Sequence, residues 1–286
     1  TALHWLKLPF WLKFGFGQSA SGSSPLESLS VAAMIRKPIV GGNWKCNPVD
    51  ISTVVSLADA FSEIDTPNID VIIFPSAIHI APARDKLKDT IAVGAQNIHV
   101  GGCGAFTGEM AVQMAKGAGC SWILVGHSER RHAFGETVEQ TVQKVERAQE
   151  AGMGVVFCIG ELLEEREAGK TLEVCQAQLA PVLPKVTDWQ KFVIAYEPVW
   201  AIGTGVVATK AQAQEAHEAV RELIKEAVTE EAAATVRIQY GGSVTPENAS
   251  DLISQPDIDG FLVGGASLKP TFTRIMEIVS DNGGSG

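Results

Sequence analysis

Three reactive side chains each follow directly on an apolar or glycine-rich run. Lys45 follows GGNW (41–44), His127 begins the polar cluster HSERR, and Glu197 ends the run FVIAY (192–196) before an apolar loop that contains glycines. An ammonium can hold an anion or form a Schiff base with a carbonyl. A neutral imidazole can donate a hydrogen bond to a carbonyl oxygen or shuttle a proton. The lone carboxylate between a buried run and an apolar loop is the least expected of the three.

Each of these residues also has a purely structural interpretation. Lys45 could cap a strand at the surface, His127 could be a satisfied core histidine, and Glu129 with the adjacent arginines could form a solvated charge cluster. Lys45 and Asn43 occupy alternate positions, so we expect both side chains to project to the same side of a strand. We also expect Glu129 to tether either Lys45 or the rest of this polar cluster, and Arg131 to form a structural ion pair.

Two glycine pairs, in YGGS (240–243) and VGGAS (263–267), indicate an anion site. One glycine pair alone usually marks only a tight turn. Two such turns after consecutive predicted strands, with Ser243 beside one, favour backbone N–H groups that approach phosphate oxygens without an intervening Cβ. The sequence therefore predicts a small phosphorylated ligand.

The elements that must position these residues alternate along the chain. Eight short apolar runs predict strands at 39–45, 71–75, 91–97, 122–127, 154–160, 192–197, 236–241 and 260–264. Amphipathic stretches between them, such as 137–151, 172–182 and 210–229, predict helices. This rhythm is typical of βα units, and about 245 residues match a single (β/α)₈ TIM barrel. An open doubly wound sheet is the alternative, but it usually carries a G-x-G-x-x-G turn after its first strand, which is missing here.

Composition excludes several classes of function. The chain has 286 residues, of which 45% are hydrophobic, and its net charge of −10 argues against a nucleic-acid-binding surface. No apolar stretch reaches the roughly 20 residues that cross a bilayer, so we expect no membrane association. The five cysteines form no metal-binding or disulfide pattern, which is typical of reduced thiols in a cytosol-like compartment. We expect no metal and no cofactor.

Residues 1–34 differ in composition from the predicted barrel domain, residues 35–286. An apolar and basic start is followed by a stretch rich in Ser, Gly and Pro, which is typical of an organelle transit peptide or signal sequence. A disordered tail, or a natural N-terminus at Met34, would explain the same composition. We therefore expect a cytoplasmic protein, or a plastid or mitochondrial one if the extension is a transit peptide.

Five motifs together resemble the triosephosphate isomerase family in type, order and spacing. They are GNWKCN (42–47), GHSERR (126–131), AYEPVWAIGTG (195–205), QYGGSV (239–244) and GFLVGGASLKP (260–270). The resemblance covers residues 35–281, and SQPDIDGFLVGGASL (254–268) is most similar to eukaryotic members. It implies a cofactor-free enzyme of glycolysis and gluconeogenesis. Such an enzyme interconverts dihydroxyacetone phosphate and glyceraldehyde 3-phosphate through an enediolate.

The resemblance also implies a role for each site residue. Glu197 would be the base, His127 would polarise the carbonyl and shuttle protons, Lys45 would supply positive charge, and Asn43 would orient the substrate oxygens. Further substrate-binding residues would be Gly203, Ser243, Leu262, Gly264 and Gly265, and supporting residues would be Ser128, Glu129, Tyr240 and Ala208. A departure from many relatives lies at Val206-Val207, where they carry Lys-Thr before the alanine.

A homodimer is likewise implied by resemblance alone. The stretch QNIHVGGCGAFTGEM (96–110) resembles the protruding third loop of the family, which inserts into the neighbouring subunit. Thr107 would reach the partner's active-site mouth, and Cys46 would lie in the pocket that receives the loop. Three rival functions stay open: a sugar-phosphate epimerase, a Schiff-base aldolase that uses Lys45, and an inactive barrel kept as a scaffold.

Overall fold

The structure is a computed structural model that describes residues 36–203 and 208–282. The predicted boundary after residue 34 lies outside the described residues. So do Val206 and Val207, where the sequence departs from its relatives. Among the described residues, no helix combines the length and the apolar character that crossing a membrane requires.

Eight parallel strands close into one barrel in chain order, which confirms the predicted (β/α)₈ architecture. The first strand pairs in parallel with both the second and the eighth, and these two pairings close the ring. The strands are β1 (Ile39–Asn43), β2 (Asp70–Phe74), β3 (Ile91–Ala95), β4 (Trp122–Val125), β5 (Gly154–Ile159), β6 (Phe192–Tyr196), β7 (Arg237–Tyr240) and β8 (Gly260–Val263).

Helices follow the strands and cover the outside of the barrel. They are α1 (Ile51–Ser62), α2 (Ile80–Lys86), α3 (Val112–Gly117), α4 (Ser128–Phe134), α5 (Val138–Glu150), α6 (Leu163–Glu167), α7 (Thr171–Leu179), α8 (Lys210–Ala227), α9 (Glu230–Thr235), α10 (Pro246–Ile253) and α11 (Phe272–Asn282). The two longest, α5 and α8, begin at Thr137 and Thr209. Both threonines form capping boxes that satisfy the first free N–H groups of their helices.

The predicted elements are correct in type and order but too long at their C-terminal ends. Strand β1 stops at Asn43 because Lys45 adopts a left-handed backbone with φ 53°, and β4 stops at Val125 because Gly126 has φ 74°. Helix α7 ends at Leu179 rather than near residue 182, because Pro181 has no N–H with which to continue the helical hydrogen bonds. The chemically reactive residues therefore stand just beyond the strands rather than within them.

The barrel core consists of alternate strand residues. One buried cluster contains Ile72 and Phe74 of β2, Val156 and Cys158 of β5, and Leu262 of β8, among others. The residues between them belong to the larger cluster that packs against the helices. This two-residue alternation fills the barrel and leaves its carboxyl end free for a site.

Candidate active site

One cavity of about 470 Å³ opens at the carboxyl ends of the strands. It brings together every residue predicted to be catalytic or to bind substrate. These are Asn43, Lys45, His127, Glu197, Gly203, Ser243, Leu262, Gly264 and Gly265. They come from five widely separated stretches of the chain, so the barrel alone accounts for their proximity.

Glu197 follows β6 directly, and its side chain is almost completely buried (2% exposed). Its backbone N–H donates to the carbonyl of Ile159 at 2.7 Å, which extends the pairing of β5 and β6 by one residue. Gly160 makes this approach possible, because a Cβ there would overlap the carbonyl group of Glu197. The position of Glu197 is therefore set by backbone geometry.

Two N–H groups hold the Glu197 carboxylate. The backbone N–H of Ser128 donates to Oε2 at 2.9 Å, and Nε2 of His127 lies 3.0 Å from Oε1. Burial raises the pKa of Glu197, but these two partners lower it more, so that the pKa lies below its ordinary value. The carboxylate is therefore ionised, and its basicity depends on whether these hydrogen bonds persist.

His127 is oriented by the first turn of α4. The backbone N–H of Glu129 donates to Nδ1 at 3.2 Å, so Nδ1 is the acceptor nitrogen and the ring proton lies on Nε2, facing Glu197. Burial lowers the pKa of His127, while the carboxylate of Glu197 raises it above its ordinary value. Full protonation would nevertheless require Nδ1 to give up the Glu129 N–H. The geometry thus favours a neutral donor.

Lys45 reaches the cavity from a strained backbone. Its N–H donates to Oδ1 of Asn43 at 3.0 Å, and its Nζ binds Oε1 of Glu129 at 2.6 Å, so the predicted tether is present. The side chain runs beside Gly264, where an added Cβ would lie 4.0 Å from Nζ. Because the ammonium is paired with a carboxylate, it is a fixed positive charge rather than a free amine for Schiff-base chemistry.

The glycine turns after β7 and β8 present backbone donors to the same cavity. None of the described residues accepts a hydrogen bond from the N–H groups of Ser243, Gly264 or Gly265. A short 3₁₀ helix, Gly265–Leu268, follows β8, and α10 begins shortly after β7. Free N–H groups beside a lysine form a site for a dianion such as phosphate.

Gln96 is a contributor that the sequence reasoning missed. It follows β3, and its Nε2 donates to the carbonyls of Lys45 and Phe74, each at 2.8 Å. It thereby holds the left-handed turn that aims Lys45. Its position near the end of the predicted strand 91–97 was the one available signal, and glutamine is not a residue type that suggests chemistry.

Glu161 is the second missed residue, and it anchors the loop after β6. Its fully buried carboxylate accepts from Oη of Tyr196 and from Nε1 of Trp200, each at 3.0 Å, and Arg166 approaches it at 3.4 Å. It therefore ties strand, loop and α6 together. Ala208 is buried at the other end of the same loop. The hydroxyl of Tyr240 is buried without a hydrogen-bond partner among the described residues, and burial raises the pKa of Tyr240 to about 12.

The prediction for Arg131 was wrong. Among the described residues it forms no ion pair; its guanidinium donates instead to the carbonyl oxygens of Gly126, at 2.7 Å, and Cys158, at 3.0 Å. The reason is that Gly126 turns the chain sharply after β4 and leaves its carbonyl without a strand partner. Nor do the described residues contain a cluster of three or more side chains able to hold a metal ion.

The residues expected at a subunit interface are at the surface. Thr107 and Cys46 are exposed, and Cys46 lines a second cavity of about 400 Å³ beside the first. Phe134 lines this cavity and is 72% exposed, and Phe106 of the stretch 96–110 is 48% exposed.

Comparisons with known proteins agree with this site. The family model described as triosephosphate isomerase matches residues 38–279. The triosephosphate isomerase of Taenia solium is 52% identical over 247 residues, which is 85% of this chain and 98% of that protein. The chloroplastic enzyme of Arabidopsis thaliana is 49% identical over 92% of this chain and 84% of its own length. The cytosolic enzyme of Gracilaria gracilis is 48% identical over 82% of this chain and 96% of its own.

The eight-stranded barrel, the cavity at its carboxyl end and these matches across most of the chain lead to one conclusion. The chain belongs to the triosephosphate isomerase family of intramolecular isomerases, which interconvert dihydroxyacetone phosphate and glyceraldehyde 3-phosphate.

Proposed function

We propose that Glu197 is the base that moves a proton between the two substrate carbons, with His127 as its electrophilic partner. The observation that carries this proposal is a buried carboxylate 3.0 Å from an imidazole N–H, in a cavity whose other wall consists of glycine turns. Removing a carbon-bound proton next to a carbonyl needs a nearby base and a donor to the developing oxyanion. Both groups are present here in one cavity.

Substrate entry makes the base stronger. In this structure Glu197 accepts hydrogen bonds from His127 and Ser128, and these lower its pKa. A substrate carbonyl that takes over the Nε2–H of His127 releases the carboxylate to face the adjacent carbon. Since the stabilising donors are lost while the desolvation stays, the pKa of Glu197 rises as the substrate binds.

His127 then acts as a neutral donor. Once Glu197 no longer faces it, the attraction that raised its pKa is gone, and the Glu129 N–H still occupies Nδ1. A neutral imidazole matches the basicity of an enediolate oxygen better than an imidazolium would, and it can shuttle a proton between the two oxygens. A glutamate base beside a neutral histidine is the recognised arrangement of this family rather than an inference from this geometry.

Lys45 neutralises negative charge on the substrate, and Asn43 orients the substrate oxygens. The ammonium of Lys45 lies between Glu129 and the turn at Gly264, so it can neutralise both a bound phosphate and the negative charge that develops on the enediolate. Asn43 is buried, and its Oδ1 is used by the Lys45 N–H, which leaves its amide group to orient substrate oxygens.

The phosphate is held by backbone donors from three turns. Gly203, Ser243, Gly264 and Gly265 line the cavity together, and Leu262 closes its floor. Tyr240 and Ala208 support the loop after β6, which has to exclude water, because a wet enediolate eliminates its phosphate. Ser128 and Glu129 position the catalytic pair rather than touching the substrate.

We further propose a homodimer in which the loop 96–110 of one subunit enters the second cavity of its partner. The support is the exposure of Phe106 and Phe134, together with the position of Thr107 at the loop tip and Cys46 in the cavity lining. This cavity shares Asn43, Lys45 and His127 with the active site. A partner loop seated there would therefore brace the catalytic residues.

The cytoplasm is the proposed compartment. All five cysteines are free, which suits a reducing environment, and a similar enzyme from Gracilaria gracilis is named cytosolic. The Arabidopsis relative is named chloroplastic, so residues 1–34 need their own test as a targeting segment. A fluorescent protein fused to residues 1–34 stays in the cytoplasm if the proposal holds and enters an organelle if it does not.

A coupled assay of glyceraldehyde 3-phosphate isomerisation tests the assignment of the base. Glu197→Asp withdraws the carboxylate by about 1 Å, a misplacement that can cost on the order of 10²-fold in rate. Glu277→Asp shortens a half-exposed glutamate on α11 that, within the described part of the chain, pairs only with Arg274, and it should leave the rate unchanged. A fully active Glu197→Asp variant would contradict the proposal, as would a wild-type protein without turnover.

A further inference from the structure

Gln239 is a fully buried polar side chain inside the barrel, and no step of the proposed reaction uses it. It lies on β7 between Ile238 and Tyr240, which both pack toward the helices, so Gln239 faces the barrel interior. Its Nε2 donates to the carbonyl oxygens of Phe261, at 3.0 Å, and Ile39, at 3.1 Å. One side chain therefore joins β7 to β8 and to β1.

The other atom of the same amide has no hydrogen bond. Oε1 of Gln239 is buried without a partner among the described residues. Turning the amide over would not relieve this, because both partners of Nε2 are carbonyl oxygens, which accept and cannot donate. An unpartnered buried oxygen destabilises the fold, and an apolar side chain of similar volume would avoid that loss. The presence of Gln239 is therefore better explained by the strands that it joins than by packing.

Main-chain pairing between β7 and β8 is sparse. These strands share one residue pair in register, Tyr240 with Phe261, whereas β5 and β6 share five. At the amino end of the β7–β8 seam, the N–H of Ile238 donates to the side-chain carboxylate of Asp259 at 2.7 Å. The amide of Gln239 supplies a second side-chain contact across the same seam, nearer its carboxyl end.

The strands that Gln239 joins lead into the residues around the proposed phosphate site. β7 leads into the turn 241–243, β8 into the turn 264–265, and β1 into Lys45, and all of these residues line the cavity. The two turns, which both lie within the described residues, share no backbone hydrogen bond. The N–H of Gly241 donates instead to the carbonyl of Tyr196 on β6, at 2.8 Å. The spacing of the two turns is therefore not fixed by main-chain pairing between them.

We propose that Gln239 is a positioning residue that sets the spacing of the turns 241–243 and 264–265 and of Lys45, and thereby the affinity for the phosphate group. It does not touch the substrate. The inference rests on the proposed function, since this spacing matters only if a phosphate binds between the turns. Donors that converge on one anion have to be held within about 0.5 Å by their supporting contacts.

The same contacts predict which kinetic constant changes. Glu197 and His127 follow β6 and β4, and the amide of Gln239 binds neither strand. Loss of the amide should therefore weaken phosphate binding and leave the proton transfer nearly intact.

Gln239→Met tests the proposal, because methionine is unbranched, of similar volume and without a donor. The measurements are kcat, KM, the inhibition constant of inorganic phosphate, and the free energy of unfolding in urea. We expect KM and the inhibition constant to rise about 10-fold, which is the effect of losing about one hydrogen bond, and kcat to stay within about 3-fold of wild type. Gln239→Leu removes the same donors and provides the same test if the methionine variant does not fold.

Gln149→Met is the matched control. Oε1 of Gln149 accepts from Thr187 and Asp188, and its Nε2 is buried without a partner among the described residues, but it lies on α5 and does not line the cavity. This variant should lose stability and keep the wild-type inhibition constant for phosphate.

Two results would overturn the proposal. One is a Gln239→Met variant that loses stability while its KM and its inhibition constant for phosphate stay at the wild-type values, because Gln239 would then be only a structural residue. The other is a fall in kcat without a change in phosphate affinity. A wild-type protein that does not isomerise the substrate would instead refute the proposed function, which keeps the two failures apart.

Discussion

Removing the amide of Gln96 is expected to weaken catalysis through Lys45, although Gln96 does not line the substrate cavity. The side chain donates to the carbonyls of Lys45 and Phe74, each at 2.8 Å. The Phe74 carbonyl keeps a second donor, the Trp44 N–H at 3.1 Å, so the loss of the amide weakens the hydrogen bonding of the Lys45 carbonyl more. At about 1 kcal/mol for each hydrogen bond, Gln96→Met should destabilise the fold by about 2 kcal/mol.

The kinetic effect should be separate from this change in stability and similar to it in free energy. Lys45 has a left-handed backbone at φ 53°, which costs on the order of 1–3 kcal/mol and persists only while its surroundings hold it. Once released, the turn can relax and carry the ammonium away from the turn at Gly264. A displacement of about 1 Å can cost on the order of 10²-fold in rate, so we expect kcat/KM to fall about 10- to 100-fold.

Urea unfolding and steady-state kinetics measure the two effects separately. Gln255→Met is the matched control, because Gln255 also donates to two oxygens, those of Asp251 and Ser254, but at an exposed site. It should change stability by less than about 0.5 kcal/mol and leave kinetics unaltered. If Gln96→Met is destabilised but turns over like wild type, the strained turn at Lys45 does not depend on this amide, and the reasoning is refuted.

Three further outcomes follow from contacts elsewhere in the barrel. Gly160→Ala should lower activity by at least about 10²-fold in the coupled assay, because its Cβ overlaps the Glu197 carbonyl, whereas Gly117→Ala meets no atom within 4 Å and should be active. Burial raises the pKa of Glu136, but Lys144 and Arg130 lower it below its ordinary value of 4.5. The ionised carboxylate therefore stabilises the fold above pH 4.5, and this stabilisation is lost as the pH falls through the pKa of the folded state. In urea unfolding, the free energy of unfolding of Glu136→Gln should fall less steeply with acidification than that of wild type, and equal slopes would contradict this. Thr107→Arg should sediment as a monomer in sedimentation velocity and should show reduced activity in the coupled assay. An intact, active dimer would refute the proposed loop insertion.

Sequence patterning predicted the architecture well because a barrel repeats one simple signal. Each buried parallel strand is a short apolar run and each covering helix is amphipathic, so type and order could be predicted element by element. The C-terminal ends of all eight strands were predicted one or two residues too late, and at two of them the local reason is plain. Lys45 and Gly126 leave the extended conformation through positive φ values, which an apolar pattern does not encode.

The reactive residues were found for the opposite reason: they are chemically conspicuous where apolar patterns stop. Glu197, His127 and Lys45 stand out as charged or titratable groups at strand ends. Gln96 and Glu161 do not, since their importance lies in carbonyls and aromatic donors that only the folded chain brings to them. The ion pair predicted for Arg131 was wrong because its partners are backbone oxygens, which a sequence pattern does not predict.

Proton exchange at carbon tests the central claim most directly. Dihydroxyacetone phosphate is incubated with enzyme in D₂O, and deuterium at the carbons next to the carbonyl is followed by NMR. If Glu197 is the base, wild type incorporates deuterium from solvent while it isomerises the substrate, and Glu197→Gln, which cannot accept the proton, abolishes both signals together. Exchange that continues at the wild-type rate in Glu197→Gln would contradict the account.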